Sequence, residues 1–177
     1  MICEMMQKNK SDLHERKPTR LKNFDYNTTG AYFITICTAE KQKILSRVVG
    51  GDVLGAPKSV ELLPFGVIAD KYICQMNEFY DNIAVEQYVI MPNHIHIMLF
   101  VHGDGSPRTS TPTKQTSAVS HFVSTFKRFC NKEFGYNIWQ RGFYDHVIRC
   151  QADYDEISRY ILENPLKWNS DSLFSGN

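Results

Sequence analysis

The segment Met91-Pro92-Asn93-His94-Ile95-His96-Ile97-Met98-Leu99 constrains this chain more than any other. It is apolar and β-branched enough to be a buried strand, yet it carries two histidines two residues apart. Side chains of a strand alternate faces at a rise of roughly 3.3 Å per residue. His94 and His96 therefore share one face, about 6–7 Å apart by that rise. Ile95, Ile97 and Leu99 share the other. One face must join a hydrophobic core while the other presents two imidazoles from a rigid support. Such a pair can hold a divalent metal, although H-x-H is a weak signal, because histidine fills many strands for other reasons. Taken alone, it reads more readily as two half-buried histidines bonded to their neighbours.

A chain of 177 residues with 42% hydrophobic and 22% charged positions is long enough for one domain with a real core. Its net charge of +1 does not by itself point to nucleic acid. The local distribution says more. Lys8, Lys10, Arg16, Lys17, Arg20 and Lys22 crowd the N-terminal region against only Asp12 and Glu15. Lys127, Arg128, Lys132, Arg141 and Arg149 form a second basic group, and each group taken alone is compatible with a solvated face. The five cysteines are odd in number and show no C-x-x-C pair, as expected of reduced thiols in a cytoplasmic protein. No run approaches 18 apolar residues and no signal-like apolar segment opens the chain.

Residues 1–17 read as a flexible basic arm and 18–177 as a single domain. Residues 31–38 form a β-branched, aromatic strand introduced by Gly30. A short hairpin is expected between residues 44 and 64, with turns at Gly50-Gly51 or Gly55. Helical spacing covers 65–80 and 119–134, and a last helix spans 152–163, stopped before Pro165. Strands 85–91 and 94–101 meet at Pro92-Asn93 in a tight hairpin. Residues 102–116 make a loop rich in Gly, Ser, Pro and Thr, and 138–149 an extended segment. The order β-(hairpin)-α-β-β-α-β-α is that of an α+β, ferredoxin-like core: an antiparallel sheet with an added C-terminal helix.

That last helix carries a second constellation, Tyr160-Ile161-Leu162-Glu163-Asn164-Pro165. Tyr160 and Asn164, four residues apart, lie together beside the face made by Tyr154, Ile157 and Ile161. Asn164 offers a neutral oxygen suited to Mg²⁺ or Mn²⁺, and a tyrosine oxygen can act as a nucleophile. An Asn before Pro is equally a common helix terminator, and a border tyrosine is often only structural.

Four ordered stretches together resemble the REP-associated tyrosine transposases, within the single-tyrosine HUH transposases. They are residues 30–38, residues 89–96, Trp139-Gln140-Arg141-Gly142-Phe143-Tyr144-Asp145-His146-Val147-Ile148-Arg149, and residues 160–165. The likeness runs from about Arg16 to Trp168. It implies that His94, His96 and Asn164 bind a divalent metal, Mg²⁺ or Mn²⁺, and that Tyr160 is the nucleophile. It implies cleavage and rejoining of single-stranded DNA beside REP-like hairpins, through a 5′-phosphotyrosine linkage. Arg16, Lys17, Arg20, Tyr32, Phe33, Lys127, Arg128 and Arg141 are then expected to contact DNA, and Tyr32, Trp139 or Tyr144 to offer stacking faces. The polar insertion at 103–116 departs from more compact members. The implied setting is the cytoplasm, at the nucleoid, with no membrane partner and with monomer and homodimer both open. Three alternatives stand: a water-using metal nuclease, a hairpin-binding protein that does not cut, and a purely structural ferredoxin-like domain with a fortuitous histidine pair.

Overall fold

The computed structural model describes residues 28–50, 58–103 and 117–174. Arg16, Lys17 and Arg20, and most of the 103–116 loop, lie outside the described residues. The elements are β1 (Gly30–Cys37), β2 (Ser46–Val49), β3 (Ser59–Leu62), α1 (Pro64–Phe79), β4 (Ile83–Ile90), β5 (His94–Val101), α2 (Ala118–Phe134), β6 (Tyr144–Ile148) and α3 (Gln151–Glu163). A short 3₁₀ turn follows at Trp168–Ser170. Among the described residues no helix is long and apolar enough to cross a membrane.

The main sheet has the order β4-β5-β1-β6, with every neighbouring pair antiparallel. This is the ferredoxin-like arrangement expected from the element order. The β2–β3 hairpin is a separate two-stranded sheet within the expected 44–64 region. The extended segment at 138–149 is shorter as a strand than the sequence suggested. Residues 137–143 form a loop bridged to Thr38 through Trp139, and only Tyr144–Ile148 pairs with β1.

Register divides the sheet into two faces. Ile34 pairs with Ile97, Ile36 with Ile95 and Tyr32 with Leu99. These residues join one core with Ala69, Ile73 and Met76 of α1 and Val119, Phe122, Val123 and Phe126 of α2. The opposite face carries Thr35 beside His96, Cys37 beside His94, and Phe33 beside Met98. Helix α3 lies against β4 and β5. It is pinned there by Gln87, which donates from Nε2 to the Ser158 carbonyl (3.2 Å) and accepts from Ser158 Oγ (2.8 Å).

The Pro92-Asn93 connection is a tight turn, with Met91 N–H donating to the His94 carbonyl at 2.9 Å. Leu45 N–H donates to the Pro92 carbonyl at 3.0 Å, which ties the chain before β2 to this turn. Gly66, in the first turn of α1, packs directly on the Leu45 carbonyl, and a Cβ there would collide with it. Backbone cannot yield as a flexible side chain does. Gly66→Ala is therefore expected to destabilise the fold by about 2 kcal/mol, read as a lower urea midpoint with an unchanged m-value.

Candidate active site

The polar face of the sheet, α3 and the tail beyond it converge on the two histidines. His94 is 0% and His96 3% exposed. Each needs partners for its ring nitrogens, since a buried unpaired polar atom costs free energy. Asn93 Nδ2 donates to the Leu173 carbonyl at 2.9 Å, so Asn93 Oδ1 is the acceptor for His94 Nδ1–H at 2.8 Å. That fixes the His94 tautomer: Nε2 keeps its lone pair and is buried with no hydrogen-bond partner. His96 Nδ1 contacts Thr35 Oγ1 at 2.8 Å, across the β1–β5 pair, and its Nε2 faces the Tyr160 hydroxyl at 3.2 Å. Partners on the far nitrogens that orient the ring are what metal-binding histidines use.

The helix end completes the cluster. Asn164 caps α3 and is 1% exposed. Its Nδ2 donates to Asp171 Oδ2 at 3.1 Å, while its Oδ1 is buried and unpartnered. The Tyr160 hydroxyl donates to the same Asp171 oxygen at 3.3 Å. His94, His96 and Asp171 bring one ligand atom each to within 4.8 Å of one another. Trp168, 7% exposed, covers His94 at 6.0 Å between ring centroids, and Phe174 packs edge-on against Trp168. Two unsatisfied buried acceptors, His94 Nε2 and Asn164 Oδ1, beside a carboxylate are the donor set a divalent cation would satisfy.

Electrostatics agree with that donor set. Burial pushes the His94 imidazole down to about 4, assisted by Lys41 and opposed by Asp171. Burial, and His94 itself, hold His96 well below its ordinary value. Both rings are therefore neutral at neutral pH, as metal ligation requires. Burial and the Asp171 carboxylate push the Tyr160 phenol up to about 12, so it holds its proton in the metal-free protein. Tyr160 is 38% exposed, which leaves the hydroxyl at the mouth of the cluster rather than inside it.

The structure brings together His94, His96, Asn164 and Tyr160, as the sequence led one to expect, and adds Asp171. No spacing rule pointed to Asp171; a 3₁₀ turn after Pro165 carries it back over the site. Phe33, expected to contact DNA, is half-buried and forms a wall of the site, 5.0 Å from the His96 ring and 6.0 Å from Tyr160. Tyr32 is corrected. It is 1% exposed and its hydroxyl donates to the Thr28 carbonyl at 2.7 Å, because its parity on β1 turns it into the core. Trp139 is likewise buried, at 2% exposed, whereas Tyr144 is exposed. Lys127, Arg128 and Arg141 line a different cleft, described below.

The His94 shift makes a stability statement. Its folded value of about 4 lies below the ordinary 6.5, so the folded state binds fewer protons than the unfolded one. The contribution is complete above about pH 6.5 and is lost as pH falls towards about 4. In EDTA, the thermal midpoint should drop across that window more steeply in the wild type than in His94→Gln.

The chain matches no protein-family profile. It is 28% identical over 186 aligned positions to an uncharacterized protein of Haemophilus influenzae, covering 96% of this chain and 99% of that one. A second H. influenzae protein, provisionally named a REP-associated tyrosine transposase, is 25% identical over 148 positions, covering 81% of this chain and 74% of the relative. Among solved structures, a REP-associated tyrosine transposase bound to a REP hairpin superposes with a TM-score of 0.57 at 18% identity, over 84% of this chain and 73% of that one. In sequence the chain is thus similar to a protein provisionally named a REP-associated tyrosine transposase, and it shares its fold with a solved one.

Proposed function

We propose that this protein is a metal-dependent transesterase that cuts and rejoins single-stranded DNA beside hairpins, with Tyr160 as nucleophile. The observation that carries the reading is the Tyr160 hydroxyl. It is solvent-reachable, yet 3.2 Å from His96 Nε2 and 3.3 Å from Asp171 Oδ2. The relatives named for transposition, one of them bound to a REP hairpin, supply the substrate class.

His94 Nε2, His96 Nε2 and Asn164 Oδ1 would hold the cation, with the Asp171 carboxylate adding the negative charge that three neutral ligands lack. A bound Mg²⁺ or Mn²⁺ supplies Lewis-acid polarisation of a phosphate oxygen. Asp171 orients the phenol, and Phe33 limits its swing. The Tyr160 oxygen forms a bond to phosphorus as its proton passes to Asp171 Oδ2, the acceptor it already faces. The P–O3′ bond breaks, and the departing 3′-oxygen takes up a proton. The products are a 5′-phosphotyrosine and a free 3′-OH. That linkage retains the energy of a phosphodiester, so a 3′-OH can reverse the step and rejoin DNA. Residues 18–177 would act as a single catalytic domain, with the basic residues of 1–17 suited in charge to DNA.

The test is an SDS-resistant adduct with labelled single-stranded DNA hairpins in Mg²⁺ or Mn²⁺. The adduct is expected in wild type and absent in Tyr160→Phe and in EDTA. Cleavage without an adduct would instead indicate attack by water, and binding without cleavage a recognition protein. By calorimetry, His94→Ala/His96→Ala should abolish Mn²⁺ binding. Asp171→Ala should weaken it by about tenfold or more, the range expected for loss of a group that supports a metal site.

A further inference from the structure

A second cluster of unsatisfied groups lies away from the tyrosine chemistry. A cleft of about 440 Å³ is lined by Lys127, Arg128 and Asn131 of α2 and by Asn137, Trp139 and Arg141 of the loop entering β6. Trp139 is 2% exposed, and its indole Nε1–H has no hydrogen-bond partner among the described residues. Asn131 Oδ1 is buried and unpartnered as well. The amide orientations follow from the backbone. Trp139 N–H donates to Asn137 Oδ1 at 3.2 Å, and Asn131 Nδ2 donates to that same oxygen at 3.0 Å. The oxygen of Asn131 is therefore the atom left over. Native proteins rarely leave a buried donor and a buried acceptor both unpaired, and two in one cleft ask for a ligand with both functions.

The charge around them is positive. Lys127 spends two of its three donors on the Gln140 and Gly142 carbonyls, at 2.7 and 2.5 Å, and keeps one. Arg128 and Arg141 are exposed and add two guanidiniums, groups suited to bidentate contact with phosphate. The loop is also tied to the catalytic end of the sheet. Gln140 N–H donates to the Cys37 carbonyl at 2.9 Å, and Cys37 is the β1 partner of His94.

We propose that this cleft holds one unpaired nucleotide of the DNA strand, its base edge on Trp139 Nε1–H and Asn131 Oδ1, its phosphate on Lys127, Arg128 and Arg141. The inference rests on the single-stranded DNA reading above and adds a place where that strand is gripped. Each nucleobase edge carries both a donor and an acceptor, so a splayed-out base can pair both orphaned atoms. A fully deprotonated anion such as sulfate cannot, because it has no donor for Asn131 Oδ1.

The two tryptophans of the chain make the test direct. In ¹H–¹⁵N spectra the indole of Trp139 is assigned by its survival in Trp168→Phe. Full-length Tyr160→Phe in EDTA, which has no tyrosine or metal chemistry, is titrated with the four 2′-deoxynucleoside 5′-monophosphates at millimolar concentrations. Deoxyribose 5-phosphate is the phosphate-only control. The Trp139 indole should shift saturably with at least one nucleotide while the Trp168 indole stays. Asn131→Ala and the exposed-site variant Arg141→Ala should each raise Kd about tenfold. An equal Trp139 response to deoxyribose 5-phosphate would reduce the cleft to an anion site and overturn the proposal. So would no shift with any nucleotide, even where wild-type protein forms the tyrosine adduct. A Trp139 shift in a protein whose wild type forms no adduct would keep the cleft and remove only the tyrosine reading.

Discussion

The antiparallel pairing of β1 with β5 is the constraint on which the rest of the molecule depends. Its register sets Ile34, Ile36, Ile95 and Ile97 against α1 and α2, and by the same stroke turns Thr35, His94 and His96 to the other side. A slip of one residue would bury the imidazoles among phenylalanines and expose the isoleucines, so the hydrophobic core itself enforces the polar face. Fold stability and site geometry are thus one specification. The Leu45–Pro92 hydrogen bond and the Gly66 contact extend it to the turn that launches β5.

The polar face carries its own cost. Two neutral histidines, a buried amide and a partly buried phenol are drawn from water, and His94 and Asn164 are only partly satisfied by neighbours. Asn93 holds one imidazole and Thr35 touches the other, while His94 Nε2 and Asn164 Oδ1 have no partner. Unsatisfied acceptors of this kind recur where a site needs open coordination, and here Asp171 lies near enough to His94 and His96 for the three to be able to hold a metal ion. The same pattern of leftover atoms recurs at Trp139 and Asn131, on the α2 side, among cations instead of beside a carboxylate.

Helix α3 is held differently from α2. Seven residues of α2 are buried, against Ile161 alone in α3. Its grip comes from the Gln87–Ser158 pair on β4 and from the tail, where Asn93 holds the Leu173 carbonyl and Trp168 covers His94. Few buried apolar contacts put an element at the low end of local opening free energies. Tyr160 therefore sits on a helix lightly committed to the core, over His94 and His96 on a strand deeply buried in it.

Much of this was legible in the chain. Alternation in Ile95, Ile97 and Leu99 set the faces of β5, and helical spacing outlined α1, α2 and α3 to within a residue or so at each end. Short-range periodicity settles such features because each depends on neighbours in sequence. Four of the clustered residues, His94, His96, Tyr160 and Asn164, could be singled out because two lie on one strand and two on one helix. Asp171 could not, since its place depends on a turn beyond Pro165 that only packing against His94 and Asn93 defines. Nor could the fate of Tyr32 and Trp139, aromatic residues that composition leaves equally suited to core and to surface. The sequence by itself determined which side chains share a face. Tertiary structure alone decided which faces meet, because that depends on register and chain reversal between residues far apart in sequence.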